Sequence, residues 1–229
     1  MASEEGIVDL PKATSREEWL EARKELLAKE KEETRRRDAL RAARRALPMV
    51  EVEKDYAFEG PNGKASLLDM FEGRRQLIVQ HFMFDPEWDD GCPSCTYAAE
   101  DLGDLSHLHG LNTSFAVVSR APIQKLEDYR RRKGWTFPWY SSFGSDFNYD
   151  FHATVDEDVA PVYVNYRTAD ELEAAGIPSG MKGEIPGYSV FLREGEKIYH
   201  TYSTYARGVE LLVSSTQFVD LTPLGRQEG

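Results

Sequence analysis

Cys92 and Cys95 are the only cysteines in 229 residues, and they stand two residues apart in Gly91-Cys92-Pro93-Ser94-Cys95. Two thiols at this spacing can close a disulfide with each other and exchange it with a second molecule. The attacking sulfur has to be a thiolate, because a thiol reacts far more slowly. A helix start favours an anion through its unpaired N–H groups and partial positive charge. Cysteines placed there have pKa values of roughly 3.5–7.5 instead of about 8.5. The first sulfur of such a pair is the more exposed and the second lies in the first helical turn. Cys92 is therefore the candidate nucleophile and Cys95 the candidate resolving thiol. Pro93 suits an early helical position, where a missing N–H costs little. Asp89 and Asp90 oppose ionisation of Cys92 wherever they come close.

The elements around the thiols are legible. Leu77 to Phe84 is too apolar and β-rich for a half-exposed strand and is expected in mid-sheet. Asp85-Pro86 stops it, and the acidic loop Glu87-Trp88-Asp89-Asp90-Gly91 delivers the thiols. Beyond them Ala98, Leu102, Leu105, Leu108 and Leu111 keep helical spacing, with Gly110 as the stop. Thr113 to Val118 reads as a second buried strand. Pro122 opens a helix that Arg130, Arg131, Arg132, Lys133 and Gly134 close in agreement with the helix dipole. Strand–helix–strand–helix with buried strands predicts a parallel βαβ core.

Elsewhere, Val50 to Phe58 has strand character, Glu59 to Lys64 is a turn, and Ser66 caps a short helix through Phe71. Eight of the 17 residues from Trp135 to Phe151 are aromatic. Two readings stay open for them: they line a pocket near the thiols, or they pack an irregular loop onto the core and a second subunit. A strand at 162–164 and a helix around 169–175 follow. Tyr188–Leu192 and Ile198–Tyr202 flank a turn at Glu194-Gly195-Glu196, predicting a hairpin, and Gly208 to Phe218 is a candidate closing helix.

The predicted domains are a flexible lead over 1–14, a helical arm over 15–47, one α/β domain over 48–224 and a tail over 225–229. Ser15 caps the arm, Glu17 and Glu18 fill its first turn, and Pro48 ends it. Trp19, Leu26, Leu40 and Leu47 follow a seven-residue grid whose middle position is Glu33, so the arm is expected to touch the domain or a partner subunit mainly at its two ends. Residues 15–47 carry 11 basic and 8 acidic side chains, and residues 48–229 carry 16 and 29. A net charge of −12 argues against general nucleic-acid binding. No apolar leader follows Met1 and no apolar run is long enough to span a bilayer, which predicts a cytoplasmic protein away from membranes.

Cys-Pro-Ser-Cys on this layout resembles the thioredoxin superfamily. That resemblance implies a three-layer α/β/α sandwich with a mixed central sheet. Ile185-Pro186 before the hairpin resembles that superfamily's cis-proline site, where the proline faces the cysteines and helps hold an extended substrate. More closely, the sequence resembles the bacterial DUF899 family of predicted dithiol–disulfide oxidoreductases. The stretches that carry this are 19–31, 76–84, 91–95, 118–122, 134–151 and His200-Thr201-Tyr202-Ser203-Thr204-Tyr205-Ala206-Arg207-Gly208.

The expected activity is dithiol–disulfide exchange on a protein or small-molecule substrate. Thiol peroxidase is the rival enzyme, weakened because peroxiredoxins resemble one another in a Thr-x-x-Cys and Asp89 stands at that threonine position. A non-catalytic thioredoxin-fold module, dimeric through the arm and the aromatic segment, is the alternative without chemistry. Supporting candidates are Pro93, Pro186, Arg120, Trp88, Trp139 and Tyr202, with Arg120 placed to steady a thiolate or an anionic substrate. His107 and His109 lack zinc-ligand spacing, His81 reads as a core histidine, and no glycine-rich phosphate loop is present. No metal, flavin or nucleotide is called for.

Overall fold

The computed structural model describes residues 10–226; the first nine residues of the predicted lead over 1–14 and the last three tail residues lie outside that range. Ser15 caps α1 (Arg16–Arg45), its side chain accepting from the N–H of Glu18. Then come β1 (Val50–Glu51), β2 (Ala57–Gly60), β3 (Gly63–Ser66), a 3-10 turn at Asp69–Phe71, and β4 (Gln76–His81). Helices α2 (Pro93–Glu100) and α3 (Ser106–Gly110) lead to β5 (Thr113–Ser119), and α4 (Ile123–Lys133) leads to β6 (Trp139–Ser141). The remainder holds α5 (Phe147–Asp150), β7 (Thr154–Val155), β8 (Tyr163–Val164), β9 (Arg167–Thr168), α6 (Ala169–Ala174) and β10 (Gly183–Glu184). The hairpin β11 (Gly187–Glu194) and β12 (Lys197–Tyr205), a 3-10 segment at Ala206–Leu212 and α7 (Ser214–Val219) complete the chain.

The main sheet runs β1-β12-β11-β4-β5-β6-β2-β3. Strands β4, β5 and β6 are parallel neighbours, while the hairpin and the outer strands pair antiparallel. All seven residues of β5 are buried, as expected of a parallel strand covered on both faces. Alternate side chains feed two cores. Leu77, Val79, Ala116, Val118 and Phe191 meet Met70, Phe71, Tyr56, Phe58, Phe147 and Phe151 on one face. Phe82, Phe84, Phe115, Val117 and Trp139 meet Cys95 and Ala99 of α2, and Leu126 and Tyr129 of α4, on the other. The two crossovers β4–β5 and β5–β6 step in the same direction, so right-handed connections place α2 and α4 on one face. This is the thioredoxin-like α/β/α sandwich with a mixed sheet. Its second helical layer is thin, consisting of the 3-10 turn and α5.

Several local expectations change. Val50–Phe58 is not one strand: β1 pairs with β12 at one edge and β2 with β6 towards the other. The charged Glu53-Lys54-Asp55 interrupts the apolar alternation, and Lys54 Nζ reaches Asp146 at 2.7 Å and Asp150 at 2.8 Å to tie down the crossing. The helix after Ser66 is a single turn, ended at Glu72 and Gly73, both with positive φ. The helix predicted to run to Leu111 breaks over 101–105, where Asp104 Oδ1 accepts the Ser106 N–H at 2.8 Å and starts α3 anew. Val213, in extended conformation, divides the predicted closing helix in two.

By compactness the described residues form two units, Pro48–Val213 and, as the other, residues 10–47 with 214–226. Residues 214–224, assigned from sequence to the α/β domain, therefore group with the arm. No residue of α1 is buried. Among the described residues no helix is long and apolar enough to cross a membrane.

Candidate active site

Cys92 is the N-cap of α2, with φ −54° and ψ 131°, and Pro93 takes the first helical position. The Cys92 N–H donates to the carbonyl of Met83 at 3.0 Å, so the loop closes back onto the chain leaving β4. Its carbonyl accepts from the Thr96 N–H at 2.9 Å and from Thr96 Oγ1, also at 2.9 Å. Gly91 is required here: a Cβ would meet Cε1 of Phe82 at 2.6 Å. The Phe82 ring is part of the core beneath the thiols and cannot swing away cheaply.

Both cysteines are free thiols, Cys92 half-buried and Cys95 buried. Their proton affinities are driven apart. The Cys92 thiol is lowered from 9.0 to about 5, chiefly by the hydrogen bond from Cys95. Partial burial opposes this, while the Ser94 hydroxyl and the N–H groups of Cys95 and Ser94 add to it. Ser94 Oγ lies 3.1 Å from the Cys92 sulfur. Cys95 is pushed up, first by sharing its proton with Cys92 and then by burial. The acidic loop does not prevail over these donors, and Asp90 pairs with Arg132 at 2.5 Å.

The other candidates sort by position. Trp88 stands partly exposed in the loop before the thiols, its carbonyl held by Lys125 Nζ at 2.6 Å. Trp139 is completely buried, its indole N–H donating to Ser119 Oγ at 3.0 Å. It supports the core beneath the site and cannot touch a substrate. Arg120 is engaged by acids of its own chain: it pairs with Asp85 and Glu184, each at 2.9 Å, and donates to the Tyr149 hydroxyl. Pro186 precedes β11, whose Gly187 lies opposite His81, but no peptide bond among the described residues is cis. The cis-proline expectation is thus corrected: Ile185–Pro186 is trans. Tyr202 sits within β12 opposite Val190, two strands from β4 and away from its thiol-bearing end.

The aromatic segment is mainly core. Phe137, Trp139, Tyr140, Phe147 and Phe151 are buried and only Phe143 stands well out. Most of its rings are therefore taken up by the chain's own packing. His81 is a core histidine held down to about 3 by burial, with Nε2 at 2.8 Å from Ser189 Oγ. A file of hydroxyls continues through Ser203 to His200 Nε2, each step 2.7 Å. Among the described residues no cluster of three or more His, Cys, Asp or Glu side chains is arranged to hold a metal.

Sequence reasoning missed Thr96 and Tyr129. The Thr96 hydroxyl proton goes to the Cys92 carbonyl, so the Tyr129 hydroxyl, 2.8 Å away, is the donor to Thr96 Oγ1. Thr96, four residues after Cys92 on the same helix, carries a local signal for such a back-bond. Tyr129 arrives from α4 and carries none.

Fold and paired thiols together define a thioredoxin-like protein with a Cys-x-x-Cys pair at a helix start. The chain belongs to the DUF899 family, bacterial proteins of unknown function, which it matches over residues 8–229. No curated protein matches the sequence. Among solved structures it is similar to peroxiredoxin Q of Xanthomonas campestris (12% identity, 74% of this chain and 93% of the other, TM-score 0.46). It is also similar to the peroxidoxin BcpB of Mycobacterium tuberculosis (11%, 76% and 97%, TM-score 0.46). A third is a putative protein disulfide isomerase of Bacteroides thetaiotaomicron (15%, 75% and 89%, TM-score 0.41). Likeness at this level assigns no chemistry.

Proposed function

We propose that this protein is a dithiol–disulfide oxidoreductase acting on a protein or small-molecule disulfide through Cys92 and Cys95. The observation that supports this best is the separation of the two proton affinities, an accessible thiolate at Cys92 against a buried, protonated thiol at Cys95. The Cys92 thiolate attacks one sulfur of a substrate disulfide, forming a Cys92–substrate bond and expelling the other substrate sulfur as a thiolate. With Cys92 no longer an anion, the main influence raising Cys95 is gone. Cys95 then attacks the Cys92 sulfur, its proton leaving with the second substrate thiol. The enzyme ends as the Cys92–Cys95 disulfide and the substrate as one thiol and one thiolate, which takes a proton from water, and an external dithiol resets the pair by becoming a disulfide itself.

The test is turnover of a model disulfide with dithiothreitol as reductant, by the full chain and two variants. Cys92→Ser abolishes turnover and captures no substrate. Cys95→Ser accumulates the mixed disulfide, detectable as a mass adduct. Turnover by Cys92→Ser at the unmodified rate sinks the proposal.

A further inference from the structure

We infer that two copies of this chain associate through α1, paired antiparallel about Glu33. The helix has 30 residues and no buried side chain, yet helices in proteins draw most of their stability from packing an apolar face. Trp19, Leu26, Leu40 and Leu47 are each roughly half exposed and fall on a seven-residue grid whose middle position is Glu33. Leu47 remains in the helical path, its N–H bonded to the Arg44 carbonyl at 3.2 Å.

This pattern is its own mirror image. Reversing a second α1 about Glu33 sets Trp19 against the other copy's Leu47 and Leu26 against its Leu40. The flanking positions fit in the same register: Leu20 falls opposite Ala46 and Leu27 opposite Ala39, large side chains against small ones. Glu25 meets Arg41, and Glu30 meets Arg36. Charge favours the same orientation, because residues 16–33 carry 5 basic and 7 acidic side chains, and residues 34–45 carry 6 and 1. Parallel pairing would stack the two basic halves on each other. The two central Glu33 carboxylates come together, but each has Arg37 of its own helix at 3.0 Å. The contact is thus apolar near both ends and polar in the middle, and it needs nothing from the thiol site.

The test is sedimentation of the full chain, followed by cross-linking of single-cysteine variants made in a Cys92→Ser/Cys95→Ser background. The chain sediments at twice its 26.1 kDa mass, and Leu26→Glu with Leu40→Glu halves it. With a short bismaleimide, Glu33→Cys links to its own copy. Leu26→Cys and Leu40→Cys link only when mixed. The exposed Glu33 variant keeps the test decisive even where the double glutamate variant loses helix. A monomer across the micromolar range, a dimer that survives the double variant, or Leu26→Cys linking to itself would each overturn the inference.

Discussion

Replacing Cys92 with Ser removes a thiolate that the folded chain holds more strongly than the unfolded one, and this has a calculable signature. The folded thiol is at about 5 against an ordinary 9.0. At about 1.4 kcal/mol for each tenfold change in proton affinity, the ceiling on its contribution is about 5 kcal/mol. Cys92 is half-exposed, so solvent screening leaves about 2 kcal/mol. The sign follows from the lowered value. The contribution is complete above pH 9, where both states are ionised, declines as the unfolded chain takes up its proton, and is gone below pH 5. Urea unfolding under a phosphine reductant, at five pH values from 5 to 9, gives the stability of the reduced protein and of Cys92→Ser. The difference between them cancels the titrating groups that Cys92 does not touch, leaving only Cys95 to ionise differently near pH 9, and should grow by about 2 kcal/mol across that range. A difference that stays flat would refute the lowered thiol, and with it the thiolate on which the exchange mechanism depends.

Three further outcomes follow from packing and hydrogen bonding. Gly91→Ala drives a methyl group into Phe82 and should cost about 1–3 kcal/mol in thermal or urea unfolding; a neutral result would mean that the loop yields freely. Tyr129→Phe leaves Thr96 Oγ1 without its donor and should cost about 1 kcal/mol. Thr96→Ser, which keeps the hydroxyl, should preserve the bond and Thr96→Val should not. His81 should remain neutral from pH 8 down to 4, because burial holds it near 3. An imidazole resonance titrating near 6.5 would contradict that burial.

What the sequence determined by itself is what local pattern encodes. The thiol pair, the apolar runs of β4 and β5, the caps of α1 and α4 and the hairpin β11–β12 all follow from side-chain type and spacing. Each depends on groups only a few residues apart. Even the order of strands and helices that defines a thioredoxin-like sheet is local information read in sequence. The tertiary structure alone decided the rest. Val50–Phe58 looks like one strand because nothing local shows that its ends pair with opposite edges of the sheet. Arg120 looks like an anion ligand until Glu184, 64 positions away in sequence, neutralises it at 2.9 Å. Trp139 and Tyr129 are both aromatic residues near a predicted site. Only packing makes one a buried support and the other a hydrogen-bond donor to the helix that carries Cys92. The thiolate itself shows the same division. Its identity, its helix start and the proton it shares with Cys95 are written locally, but its depth, and the burial that further disfavours a Cys95 thiolate beside it, come from strands and helices meeting across the core.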